Sequence, residues 1–182
     1  MSSVIISGDT SGAITLSAPA VSGTNTATLP AATGTVMVSG NMPAFSAYAN
    51  SAQTITTATI TKIQFNVEEF DTANCFDSTT NYRFTPNVAG YYQINCQLAI
   101  GSTITLTREI VYLYKNSSTF KYGTDIQGNG IQQDGVLSTL VYANGTTDYF
   151  EIYTYTTGAG TIAIAGGTNN QNYFQASMVR SA

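Results

Sequence analysis

"YRFTPNVAGYYQI", residues 82–94, sets three tyrosines and a phenylalanine around the loop-like run Thr85-Pro86-Asn87-Val88-Ala89-Gly90. Aromatic side chains suit a pleated, half-buried surface, and Pro, Asn and Gly punctuate it, so the stretch reads as a closing hairpin. From Gly90 onward the even positions Tyr92, Ile94, Cys96 and Leu98 are apolar, and Tyr91, Gln93, Asn95 and Gln97 alternate with them. A period of two is the strand period, so the first set is expected to face a core and the second to face away. Gly90 is expected either where φ is positive or where a side chain would strike a neighbouring strand.

Working outward, all 8 Phe and all 12 Tyr lie between Phe45 and Phe174. Alternation predicts strands near 44–48, 62–66, 82–85, 90–99, 108–115, 119–122, 136–142, 148–156, 160–165 and 173–179. The clusters "NSST", "QGNG", "ANGTT", "TGAG" and "GGTNNQN" are expected turns. No stretch carries a convincing helical period, and short strands at regular spacing mean an all-β sandwich or barrel. Phe65, Phe76 and Phe84 are expected core residues, each burying about 150–250 Å².

The composition shifts near Pro43, which divides an N-terminal segment, 1–42, from a head domain, 43–182. Through Thr61 the only charged residue is Asp9. Ile14-Thr15-Leu16, Ala27-Thr28-Leu29 and Thr35-Val36-Met37-Val38 are short β-favouring pieces separated by Pro19, Gly23, Pro30 and Gly34. Two readings stay open for them: a flexible linker, or strands that need a neighbour or another chain for stability.

Hydrophobic residues make up 43% of the 182 residues, enough for one sizeable core, yet charged residues are only 9% against about 25% in ordinary soluble domains. A surface of Ser, Thr, Asn, Gln and Gly suits stable assembly or an extracellular setting. Net charge −4 with six scattered basic residues argues against nucleic acid. Cys75 and Cys96 permit one disulfide at most and read as free thiols. "MSSVIISGD" has no secretory pattern, and no run reaches the roughly 20 apolar residues of a membrane span.

The spacing Phe65, Asp71, Phe76, Phe84, Gly90, Tyr92, Ile94 resembles the signature of the complement component one q globular-head family, whose jelly roll is shared with tumour necrosis factors. "VYLYKNSS" (111–118), "GTTDYFEIYTY" (145–155) and "NYFQASMV" (172–179) resemble its later strands. This sequence departs from the pattern by one extra residue between Phe76 and Phe84, and by Ile94 and Cys96 where aromatics are usual. The resemblance implies an antiparallel jelly-roll sandwich that forms a homotrimer, with Tyr91, Gln93, Asn95 and Gln97 at the threefold interface. Separately, Ile14-x-Leu16, Ala18-Pro19, Gly23-x-Asn25, Thr28-Leu29-Pro30 and Thr33-Gly34 resemble segments of tail-fibre and structural proteins of tailed bacteriophages. That likeness implies a virion setting and an N-terminal segment that attaches to other virion proteins.

The chain has no histidine, so it holds no Ser-His-Asp or Cys-His arrangement, and no enzyme is expected. Glu68, Glu69 and Asp71 cluster, but neighbours on a strand diverge. "DIQGNGIQQDG" (125–135) starts like a calcium loop, but Val136 stands where Glu is required, so no cofactor is expected and calcium lacks a specific motif. Alternation instead points Tyr112, Tyr114, Tyr149, Glu151, Tyr153 and Tyr155 outward. The resemblance makes their two strands neighbours in the sheet facing away from the axis. Such a patch suits sugar stacking, or burial by a neighbouring subunit. The expected role is a trimeric tail-fibre or receptor-binding head that recognises a host-surface glycan or protein. The alternative is a capsid decoration or collar part with a purely structural role.

Overall fold

A computed structural model describes residues 3–21, 23–28, 31, 33–34, 36–167 and 171–182. The chain divides into two compact units, Met1–Gly34 and Thr35–Ala182. In the first, β1 (Ser3–Ser7) and β2 (Ala13–Ser17) form an antiparallel hairpin with Val4 opposite Leu16 and Ile6 opposite Ile14. The Ile14-Thr15-Leu16 piece is therefore a strand. Ala27, Thr28 and residues 36–38 form no regular structure, and Leu29, Pro30 and Thr35 lie outside the described residues.

The second unit opens with a 3₁₀ turn at Ser39–Asn41. Its strands are β3 (Ala44–Tyr48), β4 (Thr54–Ile55), β5 (Thr61–Lys62), β6 (Val67–Asp71), β7 (Phe76–Asp77), β8 (Arg83–Phe84), β9 (Gly90–Lys115), β10 (Ser118–Ala143), β11 (Phe150–Ala159), β12 (Ile162–Ile164) and β13 (Tyr173–Ser181). All pairings are antiparallel. They make one large, nearly closed sheet with the form of a jelly-roll sandwich.

Two elements are longer than the alternation predicts. Strands expected at 90–99 and 108–115 are one strand, β9, because β12 pairs with residues 100–102 and β11 takes over from Thr105. Strands expected at 119–122 and 136–142 are likewise one, β10. The presumed turn "QGNG" is absorbed there as register shifts around Gly130, since glycine tolerates the local kink of a bulge. β9 and β10 are joined at Asn116 and Ser117, both in the left-handed region (φ 53 and 65), the geometry of a tight hairpin turn. Asn116 steadies it by accepting from the Tyr149 N–H at 3.0 Å and donating to Asp148 at 2.9 Å.

These long strands belong to both layers. The first half of β9 pairs with β13 and the second half of β10, continuing through β3 to β6. Its second half pairs with β11 and the first half of β10, continuing through β8 to β7. The run 82–94 is therefore not a hairpin: β8 lies in one layer, the start of β9 in the other, and residues 85–89 cross between them. The aromatic rings meet across the core instead. Phe84 lies 5.3 Å from Tyr92, 4.8 Å from Phe45 and 6.2 Å from Phe150, and Phe45 stacks on Phe76 at 4.5 Å.

Tyr92, Ile94, Cys96 and Leu98 are buried, as their alternation requires. The Tyr92 hydroxyl donates to the Val88 carbonyl at 2.6 Å and ties the crossover to the core. Gly90 does not need a positive φ. A Cβ there would come within 2.5 Å of the Arg180 carbonyl oxygen, so close approach of β13 is the reason for glycine. Cys75 and Cys96 are buried and unbonded.

Candidate functional site

The face of the second layer turned away from the core is built by alternation on β9 and β11. Glu109, Val111 and Leu113 point inward on β9, leaving Arg108, Ile110, Tyr112 and Tyr114 on the other side. On β11, Phe150, Ile152, Thr154 and Thr156 point inward, leaving Glu151, Tyr153 and Tyr155. The two strands are neighbours, with Tyr153 opposite Tyr112 and Glu151 opposite Tyr114. Tyr114 and Tyr153 stack at 4.1 Å, and Tyr112 lies 6.4 Å from Tyr114. Tyr122 on β10 continues the row at 5.0 Å from Tyr112 and is 69% exposed. Sequence reading missed Tyr122, although Phe120 and Tyr122 carry the same period-two signal in "STFKYG".

These rings cover one another and do not project freely. Tyr112 is only 7% exposed between its two ring neighbours, and Tyr114, Tyr153 and Tyr155 are half-buried. Glu151 is not an outward free carboxylate either. It is 5% exposed because Lys62, on the neighbouring β5, reaches over it and bonds its Oε1 at 2.5 Å. Burial and the Glu151 carboxylate push the Tyr153 phenol up to about 12, so its hydroxyl keeps its proton as a donor. Tyr149 stands apart, at the start of β11: its hydroxyl shares a 2.6 Å hydrogen bond with Ser117, and the Arg83 guanidinium carbon sits 4.4 Å over its ring. Arg108 binds Asp125 through two hydrogen bonds of 2.8 and 2.7 Å. The face is thus a shelf of tyrosines flanked by ion pairs.

Asp125, where the calcium-like run begins, is committed to Arg108 inside a strand. Among the described residues no group of three Asp, Glu, Cys or His side chains is placed to hold a metal. In the acidic cluster, Ser78 donates to Glu68 at 2.6 Å and Ser46 donates to Glu69 at 2.7 Å, so the two glutamates diverge. Asp71 accepts from the backbone N–H groups of Ala73, Cys75 and Phe76 at 3.1, 2.7 and 2.8 Å and serves its own loop.

The opposite outer face, on the first layer, carries Tyr91, Gln93, Asn95 and Gln97. Gln93 donates to Asn95 at 3.2 Å and to Ser138 at 3.0 Å, and Ser138 donates to Asn95 at 2.9 Å. Tyr91 lies 5.5 Å from Tyr142, and Leu140 and Tyr142 are about half exposed beside them at 52% and 45%. This is an amide network with an aromatic and aliphatic margin.

Between the layers sits one buried acid. Glu109 is fully buried, opposite Thr156, and lies close against Gly135 of the facing layer. Among the described residues neither its carboxyl oxygens nor Thr156 Oγ1 makes a geometric hydrogen bond. Burial first, and the nearby Asp134 second, push this carboxyl up from 4.5 to about 8.

No family model matches the sequence. No curated protein matches it. Solved structures do match the fold. The globular domain of the zebrafish complement 1qA protein is 14% identical, with a TM-score of 0.57 over 77% of this chain and 99% of that one. Eiger TNF from S. frugiperda is 6% identical, with a TM-score of 0.56 over 78% and 93%. PRD1 vertex protein P5 is 14% identical, with a TM-score of 0.52 over 76% and 73%. The chain has the jelly-roll fold of complement 1q and TNF heads, a fold also found in a viral vertex protein.

Proposed function

We propose that this chain is a bacteriophage virion protein, a trimeric tail-fibre or receptor-binding head that grips a host-surface glycan without chemistry. The single observation that carries this reading is the tyrosine shelf, in which exposed Tyr122 and half-buried Tyr114 and Tyr153 pack around buried Tyr112, with Tyr149 and Tyr155 at its ends. Aromatic faces take the apolar face of a sugar ring while phenol hydroxyls exchange hydrogen bonds with its hydroxyl groups. The shelf lies on the layer opposite to the Gln93–Asn95–Ser138 face, so a trimer closed on Tyr91, Gln93, Asn95 and Gln97 leaves it open. Leu140 and Tyr142 then add apolar burial to the amide contacts of that interface. Three shelves raise a weak glycan affinity by roughly 10²–10⁴-fold where the target lets several engage. The N-terminal segment 1–42 joins the head to other virion proteins, and the assembled particle acts outside the cell.

The likeness to a vertex protein favours a second reading, in which the head stabilises a capsid and touches no receptor. One experiment separates the two. Full-length protein, verified as a trimer by ultracentrifugation, is applied to a glycan array beside Tyr153→Ala. Glycan binding that is lost in Tyr153→Ala with the trimer intact supports the receptor reading. Binding to capsids alone supports the structural one, and a monomer overturns both.

A further inference from the structure

At the far edge of the tyrosine shelf one cation is held in place without an anion. Lys62 pairs with Glu151, Arg108 with Asp125 and Lys115 with Asp148. Arg83, half-buried on β8, holds its guanidinium carbon 4.4 Å over the Tyr149 ring. Among the described residues no carboxylate lies within ion-pair distance of its guanidinium, and no oxygen accepts a hydrogen bond from it. Its register partner on β7 is Asp77, whose carboxylate is already used. The N–H groups of Thr79, Thr80 and Asn81 and the Asn81 side chain donate to it at 3.0, 2.9, 3.1 and 2.7 Å. Those bonds, that of Thr80 foremost, hold the Asp77 carboxyl well below the usual carboxylate range.

Arg83 lines an open cleft of about 480 Å³ together with Glu68, Asp77, Asn74, Ser78, Thr79 and Thr85. This volume is ordinary for a small-molecule site. The guanidinium has donors only, in a fixed fork that matches a carboxylate or a sulfate. Its ring contact with Tyr149 restrains the side chain in advance, which lowers the entropy lost on binding. Glu68 and Asp77, the two carboxylates of the lining, are acceptors that suit hydroxyl groups and repel a second anion. The cleft therefore fits a polyhydroxyl molecule with one anionic group, not a polyphosphate.

We propose that the Arg83 cleft is the subsite for an acidic sugar, one bearing a carboxylate or a sulfate ester, in the glycan held by the tyrosine shelf. Tyr149, just before β11, and Tyr153 on it stand four residues apart, about 13 Å along an extended chain, so one extended oligosaccharide reaches both. The inference rests on the reading of the outer face as a glycan site and names the class of glycan.

Calorimetric titration of the full-length protein tests it, with methyl glucuronide, a sulfated methyl glucoside and neutral methyl glucoside as probes. Wild type is expected to bind at least one acidic probe about tenfold more tightly than the neutral one, and the tighter acidic probe identifies carboxylate or sulfate as the source. Arg83→Gln is expected to erase the preference and Arg83→Lys, which keeps charge but not the fork, to retain part of it. Added salt weakens the acidic probes and not the neutral one, a readout that needs no variant. Equal binding of all three probes by wild type, no binding of any, or an unchanged preference in Arg83→Gln overturns the proposal. Tyr153→Ala distinguishes the two ideas. If it weakens every probe while no preference for acid exists, the shelf stands and the Arg83 subsite falls. If it changes nothing while Arg83→Gln abolishes an acidic preference, the subsite stands and the shelf falls.

Discussion

Raising the pH is expected to destabilise the folded head through Glu109. Burial of its carboxyl outweighs the nearby Gly135 N–H, which favours the ionised form; no cation pairs with it among the described residues, and it also faces Thr156 and the core thiol of Cys96, with Asp134 nearby. In the folded chain it keeps its proton to about pH 8, whereas in the unfolded chain it ionises near 4.5. Between those values the unfolded state binds fewer protons, so unfolding becomes easier as pH rises, by up to about 1.4 kcal/mol per pH unit. The gap sets a ceiling near ~5 kcal/mol, reached above pH 8 and absent below 4.5. Asp77, Asp125 and Asp148 have lowered values. Their stabilisation is complete above the unfolded carboxylate value of 3.8 and contributes no slope in the same window. The assay is urea unfolding from pH 5 to 8, below the range where the unfolded thiols ionise, at fixed protomer concentration, with wild type beside Glu109→Gln. Wild type should lose several kcal/mol across the range and the variant should stay level, overtaking wild type before pH 8. Parallel curves would refute the buried, protonated acid.

Phe84→Ala removes the ring that meets Phe45, Tyr92 and Phe150 and is expected to cost about 3–5 kcal/mol, read from the urea midpoint; a loss under 1 would contradict the core described above. Gly145 has φ +72, and a Cβ there would lie 2.3 Å from the Ala89 nitrogen, so Gly145→Ala should cost more than about 1 kcal/mol and lower the melting temperature. Burial pushes both thiols up, so Cys75 and Cys96 should react with a thiol reagent only in denaturant, and a reductant should leave the melting temperature unchanged.

Alternation was enough to find the sandwich because each core strand writes its burial in steps of two, as Tyr92 to Leu98 do. What alternation does not encode is which strand lies beside which. The pair Phe84 and Tyr92 looked like hairpin partners and proved to be facing rings in separate layers, because a short crossover and a short turn share the same residues. Likewise "QGNG" carries turn chemistry, yet flanking pairing drew it into β10. β6 was not expected because Glu68 and Glu69 weaken its apolar signal; it pairs with β3 at the sheet edge, where charge is tolerated. The outward side of Tyr112, Tyr114 and Tyr153 was readable for the same reason as the core. Their mutual packing, and the reach of Lys62 over Glu151 from 89 residues away in the chain, were not. Long-range contacts of that kind leave no local pattern. Arg83 showed nothing in sequence, since an unpaired cation is defined only by what fails to surround it.

Because β9 and β10 each run through both layers, one side of the sandwich is closed by continuous covalent ribbon. A wedge driven between the layers there would have to bend two backbones, so separation must begin at the opposite rim, where β6 hands over to β7. That rim is clasped by two carboxylates of β6: Asp71, gripping three backbone N–H groups, and Glu68, which accepts from Ser78 just beyond β7. Mechanically the head behaves as a hinged case with a double catch, stiff along its spine and openable at that seam.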